Sequence, residues 1–166
     1  MNGGMFISGN IPKGLYIENY TILTKLDSLD GEGNFYLEPN GIFYITKFNE
    51  PYLISTEKFK HNSEIKFATQ SGPMLVINNK INPIFQKHSK NLNIRNGVGI
   101  IEGGSLIFAM SKKEINFFNF ANFFKAKGCQ NALYLDGFVS RTYLPQENWN
   151  QTDGNFAVII AVTKHR

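Results

Sequence analysis

Cysteine is nearly missing from this chain of 166 residues: Cys129 stands alone. It can form no intrachain disulfide and supports no cysteine-based zinc site. A lone cysteine suits a reducing compartment and equally an exported protein without disulfides. Charge is also sparse, at 18% of residues, against a usual share of about a quarter. With 14% aromatics, that balance excludes an intrinsically disordered chain. There is no block of five like charges, so no nucleic-acid-binding arm is expected. No apolar run nears the roughly 18 residues that span a bilayer. The longest one near the C-terminus, Phe156 to Val162, has the length of a strand. Heptads, a collagen repeat and internal repeats are missing too. The opening Met1-Asn2-Gly3-Gly4-Met5-Phe6 has no basic region followed by a hydrophobic segment, so it is not read as a signal peptide.

What is present points to a compact protein. The length fits one domain, 1–166, and lets the chain hide about two-thirds of its unfolded surface. Lys and Arg total 17 against 13 acidic residues, a formal charge of +4. Such an excess gives a mild attraction to anions such as phosphates or polyanionic glycans.

Strand-like runs dominate: 14–18, 21–25, 35–38, 42–48, 52–55, 65–69, 74–77, 98–101 and 105–110. Turn signals separate them at Asn19-Tyr20, Pro39-Asn40-Gly41, Asn78-Asn79 and Glu102-Gly103-Gly104, where residues that tolerate positive φ cluster. Residues 82–96 form the longest stretch without regularity. One segment, 114–127, reads as a helix, because Phe117, Phe120, Ala121 and Phe124 fall on one face. Ser111 to Glu114 has capping-box spacing ahead of it, and Gly128 sits where a C-terminal cap is expected. The aromatic cluster Phe117, Phe118, Phe120, Phe123 and Phe124 reads as core and helix packing. A short apolar strand, 131–135, follows, and 156–163 reads as the last strand. The pattern predicts an α+β fold, mainly antiparallel or mixed β-sheet, with the amphipathic helix packed on a sheet face.

Four places carry candidate chemistry. Asp136-Gly137 follows a buried apolar strand, which holds an acid rigidly at the sheet end, with Ser140 and Arg141 close by. Arg95 precedes Gly97 and Gly99, setting a guanidinium beside bare backbone, a pairing that suits a phosphate. No helix follows those glycines, so it is not a dinucleotide fingerprint. Gln70-Ser71-Gly72-Pro73 interrupts two strands with an amide, a hydroxyl and small residues. Asn2-Gly3-Gly4 combines an amide with tight backbone approach. An ordinary turn, a bulge or a frayed end is the competing reading at each. His61, His88 and His165 show no metal-ligand spacing and read as surface residues.

Taken in order, Asn2-Gly3-Gly4-Met5-Phe6, Pro12 to Glu18, Gly33 to Leu37, Ala68 to Val76, Arg95 to Ile100 and Asn131 to Gly137 resemble the phosphodiester glycosidase family, in its short bacterial branch. The resemblance covers residues 2 to about 162. It implies a hydrolase that cleaves the glycosidic C–O bond of a sugar-1-phosphodiester in a glycan or cell-wall-type substrate. The alternatives are a non-catalytic phosphoglycan-binding domain and a phosphodiesterase that cuts the P–O bond. The family's motifs fall on Asn2, Gly3, Gly4, Gly72, Pro73, Arg95, Asp136, Gly137 and Ser140. Phe138 and Val139 stand where its Leu-Asp-Gly loop has two further glycines, and Phe138 is expected to narrow the pocket or to face another substrate. Asp136 and Arg95 are the expected catalytic pair, the acid at the sugar and the guanidinium clamping the phosphate. Asn2, Gly3, Gly4, Gln70, Ser71, Gly72, Pro73, Gly97, Gly137, Ser140 and Arg141 are expected to bind substrate. Glu18, Glu32 and Asp153 are candidates for a second carboxylate. The implied partner is a phosphorylated carbohydrate, with no nucleic acid and no membrane span. No cofactor is assigned, although oxygens of Asp136 and Asn2 leave a divalent cation open. The resemblance also implies a periplasmic or extracellular location. Because the chain starts inside the first motif, strands ahead of it are expected to be missing and a sheet edge to be unpaired.

Overall fold

The computed structural model describes residues 1–137, 139–155 and 157–163. The chain opens with β1 (Asn2–Gly4) and then lays down two five-stranded sheets in turn. The first sheet contains β2 (Tyr16–Glu18), β3 (Thr21–Thr24), β4 (Gly41–Thr46), β5 (Pro51–Ser55) and β6 (Ile65–Ser71). Its order is β3-β2-β6-β4-β5, every pair antiparallel. The second contains β7 (Met74–Ile77), β8 (Lys80–Ile81), β9 (Asn96–Ile101), β10 (Leu106–Met110) and β11 (Cys129–Asp136). Its order is β8-β7-β11-β9-β10, again antiparallel throughout. Helix α1 (Phe117–Ala126) lies between β10 and β11 in the chain. Near the end, β12 (Val158–Ile159) pairs antiparallel with β1. Two-residue ladders, Phe6–Ile7 with Ile11–Pro12 and Tyr143–Leu144 with Trp149–Asn150, complete the described strands.

Period-two alternation builds the layers. Leu133 and Leu135 face the first sheet, where they pack with Phe43, Leu53, Met74 and Val98. Ala132 and Tyr134 face the other way and meet Phe117, Phe120, Ala121 and Phe124 of α1. The outer face of the first sheet carries its own cluster of Leu15, Ile17, Ile42, Ile65 and Ala68. The expected helix-on-sheet packing is present, with the sheets antiparallel.

Several local expectations need correction. The predicted strand 35–38 is instead a turn of 3₁₀-helix at Asn34–Tyr36. Phe35 is buried there, while the Tyr36 hydroxyl donates to Asp27 Oδ2 at 2.9 Å. Pro39-Asn40-Gly41 makes no hairpin, because Gly41 already belongs to β4, opposite both Ser55 and Ser71. Asn19-Tyr20, Asn78-Asn79 and Gly103-Gly104 do turn with positive φ. The helix begins at Phe117, not Glu114. Ile115 is held extended in a bridge to Asn93, so the Ser111 box goes unused. Asn116 caps instead, its Oδ1 accepting from Asn119 N at 2.9 Å. The strand before Gly137 is longer than expected, Cys129–Asp136. The last one is shorter, Val158–Ile159, and Phe156 lies outside the described residues.

The helix face should therefore be tightly coupled to β11. Phe124→Ala is expected to cost about 3–5 kcal/mol in urea unfolding, because Phe124 is fully buried against the sheet. A cost below about 1 kcal/mol would contradict this docking.

Candidate functional site

Asp136 closes the longest strand of the second sheet, at a register break. Asn96 pairs with Asp136 while Gly97 pairs with Tyr134, which leaves Leu135 as an extra residue. Such a bulge re-aims the side chains beside it. Across the gap between sheets, the Ser71 hydroxyl donates to the carbonyl of Leu135 at 2.9 Å. The Ser140 hydroxyl donates to the Asp136 carbonyl at 3.3 Å, and Ser140 N donates to Gly137 O at 2.7 Å. Gly137 has a local reason to be glycine: a Cβ there would overlap the Tyr134 hydroxyl.

Two backbone N–H groups fix the polarity of the network around the acid. Asp136 N donates to Asn96 Oδ1 at 2.7 Å, so the Asn96 amide nitrogen points to Asn2. It donates to Asn2 Oδ1 at 2.8 Å and to Asn2 O at 3.0 Å. Arg141 N also donates to Asn2 Oδ1, at 3.0 Å. The Asn2 amide nitrogen is thereby turned to Asp136 and donates to its Oδ2 at 3.0 Å. Gly137 N supplies Oδ1 at 2.7 Å. Asn2, Asn96, Gly137 N and Arg141 N thus hold one carboxylate in one orientation.

Asp136 is 8% exposed. Burial pushes its carboxyl up to about 6, although the donors Gly137 N and Asn2 Nδ2 pull the other way. Desolvation wins because a buried anion loses more hydration than two hydrogen bonds return. The acid lines a cavity of about 300 Å³ shared with Lys13, Glu32, Asn34, Phe35 and Val139. Lys13 Nζ lies 4.3 Å from the Tyr36 ring centroid and 5.0 Å from that of Phe35. A cation, a buried acid and an aromatic floor therefore meet in one hollow, which suits an anionic, partly apolar ligand.

Arg95 departs from the clamp expected of it. It is 0% exposed and packs on the helix side of the sheet. Its Nε donates to Ile115 O at 2.7 Å, and Nη2 donates to Asn91 O and Oδ1 at 3.0 and 3.1 Å. Its Cζ sits 3.7 Å from the Phe117 ring centroid. Burial lowers its affinity for the proton. Nε and Nη2 are thus bonded into the interior, Nη1 is buried without a partner among the described residues, and Arg95 does not line the cavity of Asp136. The corner this creates also explains where the predicted helix start went: extended Ile115 supplies the carbonyl for Nε.

Other expected residues also fill interior roles. Gln70 brackets the chain, its Oε1 accepting from Leu15 N and Asp27 N and its Nε2 donating to Asp27 O and Thr56 Oγ1. Gly97 faces Leu133 O, Phe120 and Phe124, which leaves no space for a ligand. Gly72 packs on Phe35 O and Asn40, and Pro73 O accepts from Tyr134 N. Gly3 offers its carbonyl to the Thr69 hydroxyl at 3.1 Å, and Gly4 lies against the same hydroxyl. The Arg141 side chain forks onto Asp153 and faces a different hollow from Asp136. Among the carboxylate candidates, Glu32 lines the cavity, Glu18 is exposed on β2, and Asp153 is taken by Arg141. Among the described residues, no three His, Cys, Asp or Glu side chains converge as metal ligands. His61 and His88 are exposed, and His165 lies outside the described residues.

Sequence reasoning missed Asn96, Lys13 and Asn34 as site residues. Asn96 carried a signal, since it follows Arg95 at the entry to a Gly-rich strand. Lys13 and Asn34 lie in the family-like stretches Pro12 to Glu18 and Gly33 to Leu37, but nothing in either stretch links it to Asp136, whose cavity they share across the fold.

An antiparallel two-sheet protein with a buried carboxylate at the end of a central strand is the class defined so far. The chain matches the phosphodiester glycosidase family over residues 1–163, and it belongs to that family. It is 42% identical over 145 residues to the uncharacterized protein YigE of Escherichia coli (strain K12), covering 87% of this chain and 57% of that protein. Its fold is similar to the catalytic domain of zebrafish N-acetylglucosamine-1-phosphodiester α-N-acetylglucosaminidase, auto-inhibited by its pro-peptide. The TM-score is 0.62 and the identity 19%, over 84% of this chain and 50% of that one. A hypothetical protein from Synechocystis aligns with TM-score 0.52 and 12% identity, over 84% of this chain and 45% of that one. The chain spans about half the length of these relatives.

Two stability measurements follow from the site. Asp136 binds its proton more readily folded than unfolded, about 6 against 3.8. Its contribution is therefore fully present below pH 3.8 and is lost as pH rises through about 6. Between pH 3.5 and 7, the unfolding free energy of Asp136→Asn relative to the parent should shift by about 3 kcal/mol in the variant's favour. Arg95→Ala should lower stability by about 3 kcal/mol or more in chemical denaturation, because it removes the donor of Asn91 O, one of the two donors to Ile115 O, and a fully buried side chain packed on Phe117.

Proposed function

We propose that this chain hydrolyses a sugar-1-phosphodiester, with Asp136 as the group that acts at the sugar. The observation that carries the reading is a carboxylate held in a single orientation, raised to about 6, on the wall of a cavity that also contains Lys13. A phosphate is a good leaving group and needs little protonation. The demand is to bind the anion and to deliver water to an oxocarbenium-like carbon. The Lys13 ammonium, set on two aromatic rings, supplies the positive charge that Arg95 does not bring to this cavity. Ionised Asp136 takes a proton from water as the oxygen attacks the anomeric carbon. The C–O bond to phosphate breaks, its electron pair leaves with the phosphate monoester, and the proton stays on Asp136. Asn2 acts through Asp136 by fixing the plane of its carboxylate. Family membership supports the reaction class, and the sugar is part of the proposal.

Asp136→Asn should lower kcat by about 10³-fold or more with the melting curve still cooperative; retained turnover would move the catalytic role elsewhere. In the parent, kcat/KM should rise with pH through about 6 and level off above it. A rate that falls above that pH would make Asp136 a proton donor instead. Hydrolysis in ¹⁸O-water should place the label in the released sugar; label in the phosphate would identify P–O cleavage.

A further inference from the structure

A second hollow lies beside Ser140 and Arg141. Val139 lines the Asp136 cavity, whereas Ser140 and Arg141 line this one, of about 420 Å³. Its wall carries Lys112, Arg141, Glu147 and Trp149. Lys112 is exposed and makes no ion pair among the described residues, and its Nζ lies 5.5 Å from the Trp149 ring centroid. Arg141 holds its guanidinium near the rim through Nη1 to Ser140 O at 3.0 Å. Its Nε and Nη2 both donate to Asp153 Oδ2, at 3.2 and 3.1 Å. Asp153 is itself 74% exposed. An exposed pair of that kind contributes only about 0–1 kcal/mol. A phosphate, with more charge and a geometry matched to the guanidinium fork, displaces such a partner readily.

We propose that this hollow is a subsite for a phosphorylated sugar. The phosphate sits between Lys112 and Arg141, the ring packs on the indole of Trp149, and the Glu147 carboxylate accepts from a sugar hydroxyl. An aromatic face beside converging polar groups matches an amphipathic sugar ring. Glu147 disfavours a bare anion in the same space, so the site selects a phosphate that carries a sugar. The ligand class rests on the phosphodiester glycosidase reading; the cavity and its charges do not. The subsite also touches the acid's support, because the backbone N–H of Arg141 donates to the same Asn2 amide that holds Asp136.

Trp149 is the chain's single tryptophan, so its fluorescence reports on this hollow alone. Titrating Asp136→Asn protein with N-acetylglucosamine 1-phosphate should change Trp149 emission saturably. Lys112→Ala, at an exposed position, should weaken that response about tenfold or more while leaving the circular dichroism spectrum unchanged. N-acetylglucosamine and inorganic phosphate should each bind far more weakly. No response up to about 10 mM, an unaltered affinity in Lys112→Ala, or an equal response to inorganic phosphate would each overturn the subsite. Turnover by the parent is measured separately. Absent turnover with an intact Trp149 response would remove the proposed activity and leave the subsite standing.

Discussion

A carboxylate that is 8% exposed at the end of a sheet persists only if donors replace most of its lost hydration. Here two donors and the support of one of them come from three parts of the chain. β1 brings the Asn2 amide, the residue after β11 brings Gly137 N, and β9 sets Asn2 in place through Asn96. β1 therefore has to reach the end of the second sheet, and the bulge at Leu135 has to let Asp136 lie opposite Asn96. The pairing of β1 with β12 near the C-terminus is what brings Asn2 to that position. The residual imbalance, donors that fall short of full hydration, keeps the acid near 6.

The helix side of the second sheet meets a related demand in another way. Arg95 is buried without a carboxylate partner. Its charge is spread over the carbonyls of Ile115 and Asn91 and over the face of Phe117. Arginine suits such a place because its planar cation is weakly hydrated and stacks on aromatic rings. Tyr134 lies between the two charged groups, its phenol pushed up to about 12 by burial, with Arg95 countering and Asp136 adding. Its hydroxyl also occupies the space that a Gly137 side chain would need. One buried tyrosine thus feels both the Arg95 cation and the Asp136 carboxylate.

Part of this was legible in the amino-acid order. Apolar alternation marked most strands, and the Phe117, Phe120, Phe124 spacing marked the helix face, because burial selects residues with the period of the element. Positive-φ residues marked three of the turns for an equally local reason. Asp136 and Asn2 stood out because an acid after an apolar run and an amide beside paired glycines are unusual. Arg95 also stood out, and the structure places it in the interior, away from the lining of the Asp136 cavity. Charge in a sequence says that a guanidinium needs partners, and main-chain carbonyls answer part of that need without leaving any trace in residue type.

Local chemistry by itself determined the strands, the helix face and the presence of a rigidly placed acid, since each depends on neighbours within one element. Only the tertiary structure decided that Asn96 orients Asn2 and that Lys13 shares a cavity with Asp136. It also decided that Arg141 and Trp149 share a hollow separate from that of Asp136. Those relations join residues far apart in the chain. They depend on which strands pair and on one bulge, and no single segment encodes either.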